Sequence, residues 1–168
     1  MIIFDLDGTL ADCEHRRHFV DPRLNLTRNG DATGSWENGW KPDWEAFYQA
    51  CDQDKPIQPV MGLFKHFYEN SGVQIWSGRS ESVRNKTVEW LNKNLGFEAC
   101  KYFIRNRIKM RPIGDSTPDD VLKEQWLDEA LAQGSNIDYV FDDRPKVIRM
   151  WRRRGIFVFN CCQHDKEF

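Results

Sequence analysis

Four short runs of β-branched and aromatic residues, at 1–4, 73–76, 137–141 and 156–159, stand out along the chain, each too short and too apolar for an exposed helix. They predict buried parallel strands. Between them the apolar positions change to helical spacing. Residues 59–70 place Val60, Leu63, Phe64 and Phe67 on one stripe, and residues 82–95 do likewise with Val83, Val88, Leu91 and Leu95. A third helix is signalled by Thr117 as its cap, Pro118 at the first helical position and Asp120 closing a capping box, with a core stripe of Leu122, Trp126, Ala130 and Leu131. The fourth, 145–154, ends before Gly155, which suits a left-handed cap. Strands alternating with helices in this way predict α/β architecture, a parallel sheet covered by helices on both faces.

One stretch breaks the rhythm. Residues 21–43 are rich in Asn, Gly and Trp and read as an insertion after the first strand, where α/β proteins place ligand-facing loops. A short helix over 44–53 follows, so the inserted part spans about 21–58. The 168 residues are the length of a single domain, 1–168, and contain no repeat. A hydrophobic content of 40%, with 7 Trp and 11 Phe, excludes a disordered chain. With 24 basic against 26 acidic residues, overall charge cannot hold the protein on nucleic acid or membrane, so any basic surface must be local. Cys13, Cys51, Cys100, Cys161 and Cys162 form no C-x-x-C pair and no zinc-ligand pattern with histidine, and read as reduced, mostly buried thiols. No basic leader with an apolar segment opens the chain and no membrane-spanning run occurs, so the expectation is a cytoplasmic protein without a membrane partner.

The candidate chemistry lies at the ends of the strand runs. Asp5 and Asp7 follow the first, and their spacing of two aims both carboxylates the same way if the strand continues, with Gly8 allowing a sharp exit. Asp142 and Asp143 end the third run, so parallel strands would gather four carboxylates at the carboxyl edge of the sheet. All-oxygen donors without Cys or His select a hard divalent cation, and partial carboxylate ligation with room for a phosphate suits Mg2+. Two unrelated acidic turns are the bland alternative. Ser77, Gly78 and Arg79 offer a hydroxyl, an unhindered N–H and a guanidinium where the next helix begins, either a phosphate cradle or an ordinary turn. Lys123, in the first turns of the third helix, would neutralise the carboxylates if it faces the same edge, and would otherwise be a solvated lysine.

In order, Asp-x-Asp-Gly-Thr-Leu from Asp5, an apolar run ending in Ser77, then Lys123, then an apolar run ending in Asp142 and Asp143 resemble the haloacid dehalogenase superfamily of phosphotransferases. The resemblance implies a Rossmann-like three-layer α/β fold with a small cap-like insertion after the first strand. It further implies that Asp5 attacks phosphorus to form an aspartyl phosphate and that Asp7 protonates the leaving oxygen and later activates water. Mg2+ would be held by Asp5, the backbone carbonyl of Asp7, and Asp142 or Asp143, with Ser77 and Lys123 on the phosphoryl oxygens.

A closer resemblance, over nearly the whole chain, is to the phosphatase domain of phage-type polynucleotide kinase/3′-phosphatases. It rests on Asp5-Leu6-Asp7-Gly8-Thr9-Leu10-Ala11, Asp54-Lys55-Pro56-Ile57, Met110-Arg111-Pro112-x-Gly114-Asp115, Asp119-Asp120-Val121-Leu122-Lys123, and Phe141-Asp142-Asp143-Arg144-Pro145 with Met150-Trp151-Arg152. That family's phosphate and nucleic-acid-end contacts match Arg16, Ser77, Arg79, Arg111 and Lys123. It implies a 3′-phosphorylated nucleic acid end or nucleotide as substrate. No G-x-x-x-x-G-K-[ST] loop is present, so no kinase domain is expected in this chain. The alternatives are a phosphatase of free mononucleotides or other small phosphomonoesters and, outside the enzymes, a receiver-like phosphate-binding module.

Two further features admit two readings each. Arg105, Arg107, Lys109 and Arg111 alternate with mostly apolar residues, so an extended segment would carry a basic face suited to a polynucleotide backbone or simply to a protected sheet edge. Trp36, Trp40 and Trp44 either stack on bases or pack within the insertion.

Overall fold

The computed structural model describes residues 1–24, 39–70, 72–96 and 106–162. The first apolar run forms β1 (Ile2–Phe4), after which a two-residue strand β2 (Ala11–Asp12) leads into 3-10 turns at Glu14–Phe19 and Pro22–Leu24. Beyond the undescribed 25–38 come α1 (Trp44–Gln49), a 3-10 turn at Ala50–Gln53, β3 (Lys55–Pro56), α2 (Gln58–Asn70), β4 (Val73–Ser80) and α3 (Arg84–Leu95). The chain then adds β5 (Ile108–Arg111), α4 (Asp119–Ala132), β6 (Tyr139–Asp142), α5 (Pro145–Arg153) and β7 (Val158–Asn160). Five of these strands make one parallel sheet in the order β5-β4-β1-β6-β7, with β1 central. The remaining two, β2 and β3, pair antiparallel and tie the end of the inserted part back to residues just after β1.

Alternation along the strands divides the core in two. Ile2 and Phe4 point to one face, packing with Met61, Phe64 and Tyr68 of α2 and Val88 and Leu91 of α3, whereas Ile3 points to the other, among Leu122, Trp126 and Leu127 of α4 and Val147, Ile148 and Trp151 of α5. The same parity sends Ile75 to the first face and Trp76 to the second, where its ring lies 6.0 Å from Trp126 and 5.9 Å from Trp151. This is the predicted three-layer architecture.

Several boundaries differ from the sequence reading, for physical reasons. The third helix starts at Asp119, not Pro118; Pro118 itself is the cap residue with an extended ψ of 142°, and no side chain caps the helix. Thr117 instead donates its N–H to Asp115 Oδ1 and accepts on its carbonyl from Arg111. Leu63 and Leu131, assigned to core stripes, are 45% and 44% exposed. Residues 108–111 form an edge strand whose Ile108 and Met110 are buried, while Lys109 lies over Trp76 and Trp126 and pairs with Glu129. Of the basic residues in this segment, Lys109 and Arg111 are thus engaged within the protein, and Arg105 lies outside the described residues. Of the described cysteines only Cys51 is buried; Cys13, Cys161 and Cys162 are half-buried, and Cys100, like Trp36, lies outside the described residues. Among the described residues no helix is long and apolar enough to cross a membrane.

Phe4 is the packing centre of the first face, stacked on Phe141 at 4.2 Å and edge-on to Phe64 at 5.1 Å. Phe4→Ala is expected to lower unfolding free energy by about 3–5 kcal/mol in urea titration. Phe157→Ala, at a site 64% exposed, should change it by less than about 0.5 kcal/mol.

Candidate active site

Parity also aims the first carboxylate. The Asp5 N–H donates to the Phe141 carbonyl at 2.8 Å, prolonging the β1 ladder by one residue, so Asp5 shares the Ile3 face and meets α4. There Lys123 Nζ donates to Asp5 Oδ1 at 2.7 Å and to Asp142 Oδ2 at 2.8 Å, all three side chains being buried. Asp142 also accepts from Trp151 Nε1 at 3.3 Å and from the Arg144 N–H at 3.1 Å. Burial alone would lower the Lys123 pKa, but Asp142 and Asp5 outweigh it and hold the ammonium charged.

Asp143 has much less support. Its contact to Thr9 Oγ1 is 3.4 Å. Burial, then the nearby charges of Asp5 and Asp142, push its carboxyl well above the usual range. Burial likewise lifts Asp5 to about 6 against the pull of Lys123. Asp5, Asp142 and Asp143 each offer an oxygen within 4.8 Å of the others. Three buried carboxylates thus face one lysine, and this uncompensated negative charge with an all-oxygen donor set fits a divalent cation. Gly8 makes the approach possible, since a Cβ there would lie 2.0 Å from Asp143 Oδ2 and its φ is +84°.

Asp5 and Asp7 line one cavity but meet different cations. Regular strand ends at Phe4, the chain turns through Gly8, and Asp7 Oδ1 accepts from Arg16 at 2.5 Å and from Arg79 Nε at 2.8 Å. Burial would raise the Asp7 carboxyl, but the Arg79 and Arg16 guanidiniums overcome this and bring it down to about 2. Beneath the pair lies Asp54, fully buried, which accepts from Arg16 Nε at 2.7 Å and Arg16 Nη2 at 2.8 Å, pairs with Arg79, and receives His15 at 2.9 Å. Its backbone carbonyl accepts from Trp90 Nε1 at 2.7 Å. Arg16 and Arg79, matched by resemblance to phosphate contacts, are fully buried and face these carboxylates. Asp54 escaped the reading of candidate residues because it belongs to no strand-end pattern; only the string 54–57 marked the segment.

The Ser77-Gly78-Arg79 segment is the tail of β4, where register with β5 shifts between Ser77 and Ser80. Ser77 Oγ accepts from the Arg79 N–H at 3.2 Å. Arg111 is also buried, donating to the Gly78 carbonyl at 2.9 Å and the Thr117 carbonyl at 2.6 Å and pairing with Asp119, which Arg144 shares. A Cβ at Gly78 would meet Asp119 Oδ1 at 2.6 Å. Above these groups opens a cavity of about 880 Å³ whose walls include Asp5, Asp7, Gly78, Arg111, Lys123 and Asp143.

Asp54, like Asp7, bridges both guanidiniums, and of the two it is the fully buried carboxylate. Asp54→Asn is expected to lower stability by about 3–5 kcal/mol in chemical unfolding, because two buried cations then share one carboxylate.

The family model of the polynucleotide kinase PNKP phosphatase domain matches residues 44–166. A protein of Autographa californica nuclear polyhedrosis virus, named a bifunctional polynucleotide kinase/RNA ligase, is 37% identical over 93 residues, which are 55% of this chain and 12% of that protein. Among solved structures, the Pnkp1/Rnl/Hen1 RNA repair complex matches with a TM-score of 0.66 and 24% identity over 98% of this chain and 43% of the matched one. The haloacid dehalogenase-like hydrolase SP0104 from Streptococcus pneumoniae matches with a TM-score of 0.56 and 16% identity over 95% and 82%. The chain therefore spans less than half the length of the first two proteins it resembles, and its fold is haloacid dehalogenase-like. With residues 44–166 matched, the chain belongs to the family of the polynucleotide kinase PNKP phosphatase domain.

Proposed function

We propose that the protein is a Mg2+-dependent phosphomonoesterase that removes 3′-phosphates from polynucleotide ends or nucleotides through an aspartyl phosphate on Asp5. The observation that carries this reading is the buried Asp5–Lys123–Asp142 bridge with Asp143 beside it, opening into the same cavity as Asp7. Family membership and the viral relative support a nucleic acid end as the substrate.

In the first step an Asp5 oxygen attacks phosphorus while the ester P–O bond breaks and the departing 3′-oxygen takes a proton from Asp7. Asp7 is held low in pKa in the resting site by Arg79 and Arg16, and a phosphate dianion beside it would favour its protonated form. In the second step water attacks the aspartyl phosphate, Asp7 accepts its proton, the P–O bond to Asp5 breaks, and phosphate leaves. Arg16 and Arg79 are positioning residues that fix Asp7 between those two roles, while Lys123 and Ser77 bind phosphoryl oxygens. Asp5, Asp142 and Asp143, with the Asp7 backbone carbonyl, would hold Mg2+, which when bound supplies charge neutralisation at phosphorus. Asp143 is the carboxylate left with most to gain from direct ligation. A receiver-like switch would have no use for the second acid at Asp7.

The deciding experiment is phosphate release with and without Mg2+ from a 3′-phosphorylated oligonucleotide, a 3′-mononucleotide and nitrophenyl phosphate. Release should be fastest from the oligonucleotide, require Mg2+, and fall by at least about a thousandfold in Asp5→Asn. Mg2+-independent release, or substantial turnover by Asp5→Asn, would overturn the mechanism; preference for nitrophenyl phosphate over both nucleotide substrates would overturn the substrate. In calorimetry, Asp143→Asn should raise metal-free stability by about 1–2 kcal/mol by removing a crowded buried charge. The same variant should lose the upward shift in Tm that Mg2+ gives the unaltered protein.

A further inference from the structure

A phosphate group fills a small part of a cavity of about 880 Å³, and the rest of the wall is informative. Among the described residues, Trp44 and Ile113 are the exposed large apolar side chains that line this cavity, 46% and 73% exposed. The others, such as Leu63, Phe157 and Phe159, lie elsewhere. Trp44 opens α1, whose first turn is capped by Asp43 accepting from the Ala46 N–H at 2.9 Å. Its indole rests edge-on against buried Phe47 at 5.8 Å and tilted by 31° against Tyr48 at 6.1 Å. Phe47 in turn lies 4.1 Å from the Arg16 guanidinium that grips Asp7, and Tyr48 donates its hydroxyl to the Gly78 carbonyl at 3.4 Å. The exposed indole is thus braced against the same residues that position the acid and the β4 tail.

We infer that Trp44, with Ile113, forms a stacking platform for the nucleobase of the nucleotide bearing the phosphate. The wall also carries polar donors for a sugar and phosphate, among them Arg17, Ser82 and Arg149, whereas a planar base has an apolar π-face that an indole matches without regard to base identity. The inference rests on the proposed phosphatase reading and adds where the base lies.

The test compares two oligonucleotides with a 3′-phosphate, one ending in an ordinary nucleotide and one whose terminal sugar carries no base. The ratio of their kcat/KM values is measured for the unaltered protein, Trp44→Ala and Trp44→Phe, with circular dichroism as the check on folding. The unaltered protein should favour the base-bearing end by about tenfold or more. That ratio should collapse toward one in Trp44→Ala and persist in Trp44→Phe. An equal ratio in the unaltered protein and Trp44→Ala would overturn the inference while leaving the phosphatase reading intact. Phosphate release from neither substrate would overturn the phosphatase reading instead. In that case equilibrium dialysis of thymidine 3′-monophosphate and of inorganic phosphate, with and without Trp44→Ala, decides the base site: tighter nucleotide binding that depends on Trp44 supports it, and indifference to Trp44 overturns it.

Discussion

A single buried ammonium connects the sheet to its chemistry. Lys123 reaches from α4 to the carboxylates that end β1 and β6, at 2.7 and 2.8 Å, and without it two buried anions would stand side by side at the sheet edge. The architecture around it follows. The helix must lie on the Ile3 face so that Lys123 meets Asp5, the strands must be parallel so that both carboxylates emerge at one edge, and Trp126 and Leu127 on α4 must fill the space next to Trp76.

Charge is divided unevenly between two neighbouring clusters. On one side Asp5, Asp142 and Asp143 crowd around one cation, and burial pushes Asp5 and Asp143 upward. On the other, two arginines meet Asp7 and Asp54, and Asp7 is driven down. Carboxylates two residues apart in sequence are thereby pushed in opposite directions by what each finds around it. Gly8 sits at the junction, its missing Cβ leaving room for Asp143 and its positive φ turning the chain that follows Asp7.

The inserted part takes a role in this arrangement through its described end. Pairing of β3 with β2 and the Trp90 bond to the Asp54 carbonyl fix Asp54 under the arginines. The helix α1 immediately before it carries Phe47 against Arg16 and Trp44 on the cavity wall. One segment therefore supplies both the anchor of the Asp7 cluster and an apolar surface facing the cavity.

Periodicity alone carried the layered α/β fold, because strand alternation and helical stripes are local consequences of which side chains must leave water. The same alternation gave Asp5 and Asp142 their common edge, the strand ends marked Ser77 and Asp143, and the start of the third helix marked Lys123. What periodicity could not carry was the partner of each charge. Arg16 and Asp54 are 38 residues apart and Arg79 and Asp54 are 25 apart, and nothing in the spacing of either segment signals that they meet. Nor could spacing tell that Arg111 would turn inward to Gly78, Thr117 and Asp119, or that Lys109 would lie over two tryptophans. Burial decides those contacts: a charged group removed from water must find its counter-charge wherever the folded chain brings one, and only the tertiary structure determines which one arrives.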